Sequence, residues 1–317
     1  MKYRGRAERL APSTLRGAFP RPRRYRSGMF EIRHQGSLKA ALLVAGAVVA
    51  SFFSLAAPSA QADPTEFQRF KATLNGKSGT DSRPRPVEVT LHTWQEAIGD
   101  PPSFLENPPY AMLFVHIYLP RAVKLDTRRS PGCPEKRIID DPSRCPKGSE
   151  IGRTGEAVGY ARPVNAPAGV GAYVSLTNRI FVIKEARNTL AVRVKTPLTT
   201  GVMRAVVRPA RGTERRNWGQ VVDFTIPIGL VQPAPGVMSQ LTNFIGVLRR
   251  ATAGGRPVLG LGACPADRRL NFGFMADYNR NLETGDQGLG TSSSANGRFS
   301  INVRSPITES IIACPAR

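Results

Sequence analysis

Four cysteines are the residues whose chemistry the sequence specifies most clearly. Cys133, Cys145, Cys264 and Cys314 are each followed directly by a proline. An even number of cysteines at loop-like spacings is typical of disulfide bridges in an exported chain. A zinc site needs four converging ligands and usually contains close pairs such as C-x-x-C, which this sequence lacks. The sequence therefore predicts two disulfides, with no metal site and no cysteine catalysis.

The four cysteines allow three pairings. We expect Cys133 to bridge to Cys145 and Cys264 to Cys314, because each bridge then joins segments that have no other reason to stay together. The proline after each cysteine fixes the backbone just beyond the bridge. Through loop-closure entropy, the short bridge would contribute about 3 kcal/mol and the long one about 4 kcal/mol.

Histidine-based catalysis has few participants in this chain. Beyond residue 62 the only histidines are His92 and His116, and a hydrolytic triad also needs a nucleophile and an orienting carboxylate. No G-x-S-x-G motif marks a nucleophile. His92 is predicted on the polar face of a strand, and His116 shares a strand face with Phe114 and Tyr118. We expect structural roles for both histidines.

Paired carboxylates are the second catalytic chemistry open to an exported β protein. Glycoside hydrolysis needs two carboxyl groups at a suitable separation, and the candidates are Glu88, Glu96 and Glu106. No Glu-x-Asp-x-x-Glu pattern joins them on one strand, so we expect solvated surface groups. A hydrolase of wall or environmental glycans is the alternative function, which clustering of the three carboxylates in one cleft would favour.

Alternating oxygen ligands form the beginning of a calcium-loop pattern. They are Asp277, Asn279, Asn281 and Glu283. A calcium loop of this type also needs a glycine at its sharp turn and a closing bidentate glutamate. Leu282 stands at the glycine position and Gly288 at the glutamate position, so the sequence predicts no calcium site.

Arginines gather in a predicted β-hairpin that joins residues 202–207 to residues 221–226. They are Arg204, Arg208, Arg211, Arg215 and Arg216, and Trp218 follows them. Guanidinium groups bind phosphates and carboxylates through paired hydrogen bonds, and an indole stacks on sugars or bases. An anion-binding site is therefore the most specific binding hypothesis that the sequence offers, but the pattern favours the alternative, a solvated loop with Trp218 tucked into the edge of the fold.

The elements that position these residues follow a stretch typical of a signal peptide. Residues 40–62 contain no charge, two basic residues lie just upstream, and the stretch ends in Ala60-Gln61-Ala62. Small residues at this spacing fit signal peptidase. We expect residues 1–62 to be removed, which leaves residues 63–317 as the mature region.

Two alternatives concern the same N-terminal region. The 18 residues from Ala40 to Ala57 just reach the length of about 17–25 residues that spans a bilayer, so an uncleaved anchor is one alternative. Residues 1–28 carry nine Lys or Arg and one Glu, which is unusually basic for a signal peptide, and Met29 is an alternative start. With no lipid-modifiable cysteine and no hydrophobic C-terminal tail, we expect a secreted or cell-wall-associated protein.

The charge of the mature region is strongly positive. Residues 63–317 carry +13 of the formal net charge of +22, and such a surplus favours acidic partners. However, the basic residues are scattered and arginine outnumbers lysine 27 to 7, as GC-rich coding produces without selection for binding. If the surplus has a partner, we expect an anionic wall polymer or glycan. We expect no specific nucleic acid, no cofactor, and no membrane contact beyond the signal segment.

Alternation of apolar and polar residues with a period of two predicts half-buried strands. It occurs at residues 87–91, 190–194, 222–226 and 299–303. Residues 112–119 and 180–183 are apolar on both faces and are predicted to be central strands. With 27 prolines and 30 glycines, the chain is predicted to be all-β, because strands at this spacing pack as a sandwich or an antiparallel barrel. We expect the antiparallel β-sandwich, as either one domain or two packed sub-domains.

Three regions depart from this alternation. Residues 237–249 have apolar residues at a helical spacing, so the pattern alone predicts a helix. Residues 63–82 and the Ser/Gly-rich residues 284–297 are predicted to be loops. Asn296-Gly297 is a turn signal that opens a strand at Arg298.

A series of motifs runs in order through residues 80–317. They are Arg83 to Val87 (RPRPV), Val115 to Leu125, Cys145 to Gly152 (CPKGSEIG), Leu241 to Phe244 (LTNF), Cys264-Pro265, Phe272 to Asp277, and Cys314. Together they resemble a family of uncharacterised secreted β-rich proteins of high-GC Gram-positive bacteria. The chain departs from that family at Met275 to Tyr278, where the family has Tyr-Ala-Asp-Gly, and in an insertion that continues through Gly297.

The resemblance implies an exported sandwich and supports the disulfide pairing given above. It also implies a strand at residues 237–249, because LTNF resembles the family's Leu-Thr-Ser-Phe strand. The family has no assigned activity, so the resemblance implies no mechanism. We therefore expect a secreted, noncatalytic interaction protein, either cell-wall-associated or extracellular.

Overall fold

The computed structural model describes residues 68–97, 103–104, 110–163, 166, 169–186, 188–197, 200–279, 289–294, 297–299 and 303–316. The expected signal peptide, its cleavage site and the alternative start at Met29 lie outside these residues. So do Glu106 and most of the calcium-loop pattern. All described residues belong to one unit of the chain, Ala57–Arg317.

Short strands separated by turns make up most of the described chain. The first ten are β1 (Gln68–Asn75), β2 (Arg85–Pro86), β3 (Glu88–Gln95), β4 (Ala111–Pro120), β5 (Val123–Leu125), β6 (Gly152–Arg153), β7 (Gly155–Pro163), β8 (Ala172–Val182), β9 (Thr189–Lys195) and β10 (Thr200–Pro209). The others are β11 (Trp218–Thr225), β12 (Val237–Leu248), β13 (Thr252–Ala253), β14 (Arg256–Pro257), β15 (Leu259–Leu261), β16 (Arg269–Asn279), β17 (Leu289–Ser294), β18 (Gly297–Phe299), β19 (Val303–Arg304) and β20 (Thr308–Ala313).

In the part of the chain that the structure describes, helical segments are few and short. The α-helices are α1 (Glu135–Asp140) and α2 (Ile228–Val231), and 3-10 turns occupy Thr127–Arg129, Pro142–Arg144 and Gly212–Arg216. Among the described residues, no helix is long and apolar enough to cross a membrane.

One large antiparallel sheet dominates the fold. Its strand order is β1-β3-β12-β7-β8-β9-β10-β11-β4-β16-β19, with β20 also paired to β16 and β6 to β12. The sheet curls until its ends meet: the Ala72 backbone N–H of β1 donates to the Ser310 hydroxyl of β20 at 2.9 Å. Inside the curl, the rings of Phe70 and Phe274 stack with centroids 5.6 Å apart. The predicted all-β antiparallel fold is confirmed, and the two faces of the sandwich belong to one continuous sheet.

The period-two patterns locate most of these strands correctly. Residues 87–91, 190–194 and 222–226 fall in or directly beside β3, β9 and β11. The two runs that are apolar on both faces lie in β4 and at the end of β8, each flanked by strands on both sides. In the pattern at 299–303, Phe299 ends β18 and Val303 begins β19.

The helical spacing at residues 237–249 belongs to a strand, so the helix prediction from pattern alone is wrong. β12 is bulged between Leu241 and Asn243, where its register with β7 shifts. Val237, Ser239 and Leu241 face the interior before the bulge, and Phe244 is the next residue to do so. A bulge changes which residues face inward, and this change mimics helical periodicity in the sequence.

The loop prediction for residues 63–82 is also wrong, because β1 runs through it and pairs with β3. A buried polar residue, Gln68, begins the strand and obscured the alternation. Its amide nitrogen donates to the Thr93 hydroxyl at 2.5 Å, and its amide oxygen accepts from the Tyr278 hydroxyl at 2.7 Å. Residues 284–297 were likewise predicted to be a loop, but they contain β17, which pairs with β18.

The two predicted disulfides are present, and both lie at one end of the curled sheet. Cys133 bridges to Cys145 and Cys264 to Cys314, with Cα atoms 5.3 and 5.8 Å apart. The Cys133 backbone N–H donates to the carbonyl of Val182, where β8 ends. The same end carries a small sheet of β2, β15 and β5, whose leucines enter the main core. We call this the stapled end, and the opposite one, where α2 follows β11, the α2 end.

Candidate functional site

The predicted arginine hairpin is formed by β10 and β11 at the stapled end. The two strands pair from Arg204 opposite Thr225 to Pro209 opposite Gln220. The connecting 3-10 turn begins at Gly212, whose φ of +49° suits a residue without a Cβ. The Glu214 carboxylate accepts the Arg211 backbone N–H at 2.8 Å and so closes the turn.

Arg208 lies at the base of this hairpin, between two carboxylates. It contacts Glu214 at 2.7 Å and also pairs with Asp223. The hydrogen bonds to Glu214 outweigh the effect of partial burial and, with those to Asp223, raise the pKa of Arg208. The same contact with Arg208 lowers the pKa of Glu214. Arg208 is therefore occupied by carboxylates of its own chain.

An ion-pair network continues from Asp223 across β4 to β16. His116 Nδ1 lies 2.7 Å from Asp223 and Nε2 lies 3.3 Å from Asp277. Arg304 donates to both carboxylate oxygens of Asp277, to Oδ1 at 2.6 Å and to Oδ2 at 3.1 Å. The Asp277 side chain is only 3% exposed, so its charge depends on these two cations.

The protonation state of His116 follows from these partners. Ionised carboxylates only accept hydrogen bonds, so both ring nitrogens must carry a proton. Burial disfavours the charged ring, but the hydrogen bonds and charges of Asp223 and Asp277 more than offset it and raise the pKa of His116 from 6.5 to about 9. As an imidazolium, His116 has no lone pair that could take a proton from a substrate.

Three arginines of the hairpin remain at the surface. Arg211, Arg215 and Arg216 are exposed, and we call these three residues the arginine tip. The Arg215 side chain donates through Nε to the Ala210 carbonyl at 2.9 Å. Arg121, which directly follows β4, donates to the backbone carbonyls of Arg215 and Arg216. It is also exposed and places a fourth guanidinium group beside the tip.

The other two predicted members of the site, Arg204 and Trp218, are engaged in contacts within the protein. Arg204 pairs with Glu135 of α1 at 3.0 Å, which ties β10 to the Cys133–Cys145 segment. Trp218 is 5% exposed, and its ring centroid lies 4.6 Å from that of Tyr118. It therefore has no free face for a sugar or a base, and its position is the tucked-in one given above as the alternative.

The chain matches no protein-family model, no curated protein and no solved structure.

The carboxylates considered for glycoside hydrolysis are separated along one strand. Glu88 begins β3 and pairs with Arg153 at 3.0 Å, whereas Glu96 follows the end of β3 and pairs with Arg69 at 2.8 Å. At the rise of a β-strand, the two backbones are about 27 Å apart. The two carboxyl groups of a glycosidase lie within about 10 Å of each other. Glu88 and Glu96 therefore do not share a cleft.

Two further candidate residues, His92 and Asp277, lie on strands β3 and β16. His92 faces outward on β3, with its ring 4.4 Å from that of Trp94 and Nε2 3.0 Å from Asn243. Asp277, the first residue of the calcium-loop pattern, is occupied by His116 and Arg304. Among the described residues, no group of three or more His, Cys, Asp or Glu could hold a metal ion.

Local sequence spacing does not bring together four members of this region, Asp223, Asp277, Arg304 and Arg121. Each lies on a different strand or turn from the arginine tip, and only the order β10-β11-β4-β16-β19 brings them together. The one available signal was an ionisable residue in the middle of an apolar strand, as at Asp223 and Asp277.

Proposed function

We propose that this protein is an exported, noncatalytic interaction protein that binds an anionic wall polymer or glycan through the arginine tip. The observation that carries the proposal is the orientation of Glu214. Its carboxylate turns inward to Arg208 and to the Arg211 backbone. The acidic residue of the turn therefore does not neutralise the exposed guanidinium groups.

The tip is suited to a repeating anion rather than to a single one. An exposed ion pair contributes less than about 1 kcal/mol, so one phosphate or carboxylate on one arginine would bind weakly. A polymer presents many such groups, and each contact after the first forms at a high effective concentration. Arg121 holds the backbone beneath Arg215 and Arg216, which reduces the ordering that binding requires.

The two disulfides support an extracellular location, since such bridges persist in oxidising compartments. The glycan-hydrolase alternative has less support, because Glu88 and Glu96 lie at opposite ends of β3 and His116 is held as an imidazolium. The geometry therefore favours binding over bond cleavage.

A salt titration with matched charge variants tests this proposal. The test variant replaces all three residues of the arginine tip by glutamine. The control replaces three exposed arginines outside the hairpin, Arg83, Arg85 and Arg256, so that net charge changes equally. Binding to immobilised polyphosphate and to polygalacturonate is measured between low and physiological salt.

We expect the wild-type and control proteins to bind with an affinity that falls steeply as salt rises, because exposed charges are screened within about 10 Å. The tip variant should lose most of this binding and most of its salt dependence. Equal binding by the tip and control variants would refute the proposal and would assign the interaction to net charge alone. Polyphosphate and polygalacturonate then distinguish phosphate from carboxylate preference.

A further inference from the structure

The interior of the curled sheet contains a hollow near the α2 end. It leaves about 90 Å³ open to the centre of a water-sized sphere, whereas a single water needs only about 10–15 Å³ on this measure. Its walls come from β7, β8, β10 and β12, and Leu230 of α2 lines it as well. Protein interiors contain few voids larger than a water molecule, so a space of this size calls for an explanation.

Two smaller hollows adjoin the first and extend toward the stapled end. They measure about 50 and about 30 Å³ in the same sense. Met203 and Phe244 line both the first and the second hollow, and Phe224 and Phe244 line both the second and the third. Leu125, from the small sheet that caps the stapled end, lines the third. The hollows therefore form a tapering row between the two ends.

The sequence of β7 accounts for the widest part of the row. The inward-facing residues of this strand are Ala157, Gly159 and Ala161, all of them small. A Cβ added to Gly159 would approach the Ser239 hydroxyl to 3.3 Å, so β7 and β12 leave each other little room on that wall. The opposite wall, which includes Met203, does not reach across to fill the space.

The lining is apolar and carries no charge. Among the described residues that line the three hollows, none is ionisable. Polar side chains lie chiefly at the first hollow, where Thr196, Ser239 and Gln240 are found. In the second hollow, the hydroxyl of Thr93 is already hydrogen-bonded to Gln68 and to the Arg69 carbonyl. Water gains little in such a space, whereas an apolar molecule gains contacts.

We propose that the row of hollows binds the straight alkyl chain of a lipid-like molecule, with its uncharged polar head beside Ser239 and Thr196 at the α2 end. Curled antiparallel sheets that are too wide for their side chains to fill hold a small ligand in this way. The taper favours an unbranched chain. Met112, Met203 and Phe244 stand between the hollows, and methionine side chains adapt readily to the shape of a ligand.

Competition with an uncharged dye tests this site separately from the arginine tip. Nile red is bound first, and is then displaced by octanol, decanol, dodecanol or hexadecanol. Burial of each CH2 group should tighten alcohol binding about fourfold, until the chain is longer than the row of hollows. The triple glutamine variant of the arginine tip should bind the alcohols like the wild type, so the two proposals fail or succeed independently.

Two filling variants and a matched control locate the binding. Ser239→Leu places a larger side chain in the first hollow, whereas Ser175→Leu makes the same change on the exposed face of β8. We expect the first to weaken alcohol binding at least tenfold and the second to leave it unchanged. Should Ser239→Leu fail to fold, Ala161→Leu serves the same purpose and should shift the preferred alcohol to a shorter chain. An alcohol affinity that does not depend on chain length, or that is unchanged in both filling variants, would overturn the proposal.

Discussion

The two ends of the curled sheet are closed by different means. At the stapled end, two disulfides and the small sheet of β2, β15 and β5 cover the core. At the α2 end, the described closure is a helix of four residues, α2, whose Leu230 packs against Gly201 of β10. Covalent restraint is thus concentrated at one end, and the other end is held by side-chain packing.

This difference separates the two binding proposals in space. The arginine tip lies at the stapled end, where Glu214 and Arg121 hydrogen-bond to the backbone of its three arginines. The widest hollow lies at the α2 end, where the closure contributed by the described residues is the packing of α2. Local opening has a low free energy where few buried contacts must break, so we expect a ligand for the interior to enter at the α2 end.

Removing the disulfides should have the largest effect. Replacing Cys264 and Cys314 by alanine opens a loop with a sequence separation of 50 and should cost about 4 kcal/mol, whereas replacing Cys133 and Cys145 opens one of 12 and should cost about 3 kcal/mol. Urea denaturation of the two double variants measures both losses. Neither change should affect hydrogen exchange at α2. Faster exchange there in either variant would show that the two ends are not independent.

Raising the pH should destabilise the folded protein, because His116 loses the charge that pairs with Asp223 and Asp277. The pKa of His116 is about 9 in the folded protein against 6.5 as its ordinary value, so its contribution is complete below pH 6.5 and is lost as the pH rises through 9. The loss should amount to at most about 3 kcal/mol. His116→Gln has no such titration and is the control. An equal pH dependence of unfolding in both proteins would contradict the imidazolium assignment.

Removing the apolar contact that Leu230 of α2 makes should have a smaller and more local effect on stability. Leu230 is half-buried, so we expect Leu230→Ala to reduce the free energy of unfolding by about 1–2 kcal/mol. Hydrogen exchange should accelerate at α2 and at the start of β10, and Nile red should enter faster. Exchange at β15, in the stapled end, should stay unchanged and provides the internal control. Acceleration throughout the sheet would mean that α2 does not act as a separate closure.

Neutralising the arginine tip should have the smallest effect on stability. Exposed charges typically contribute less than about 1 kcal/mol each, and the backbone of the turn is held by Glu214 and Arg121. Thermal unfolding of the triple glutamine variant should therefore resemble that of the wild type. Arg208→Gln is the informative contrast, since it leaves Glu214 and Asp223 without their common partner and should be clearly more destabilising. The reverse order would place the structural role at the tip.

The sequence predicted the strand segments in which apolar and polar residues alternate without interruption, at residues 87–91, 190–194 and 222–226, because period-two alternation follows directly from strand geometry. It failed where that alternation is interrupted. A buried glutamine at position 68 concealed β1, and the bulge after Leu241 made β12 resemble a helix. The disulfide pairing was predicted correctly from the spacing of the cysteines, although Cys264 and Cys314 also lie beside the paired strands β16 and β20 and therefore have a second tie.

The composition of the candidate sites depended on strand order, which the sequence does not reveal. Local spacing brought Arg208 and Trp218 into one hairpin with the arginine tip. Trp218 is buried because β4 supplies Tyr118 from a distant part of the chain, whereas Arg208 is engaged by Glu214 and Asp223 of the hairpin itself. The hollows also depend on strand order. The small residues of β7 leave a space only because the side chains of the opposite wall do not reach across to them.

The meeting of β1 and β20 has a consequence for the order in which the molecule can be assembled. The residues that touch there, Ala72 and Ser310, are 238 positions apart. A chain that is synthesised from its N-terminus therefore remains an open sheet, with β1 lacking a neighbour on one side, until β20 has emerged. Closing so long a loop costs about 5 kcal/mol of chain entropy and makes folding slow. Premature termination just before β20 would accordingly yield an unclosed sheet that is prone to aggregate through its free edge, rather than a slightly shortened protein.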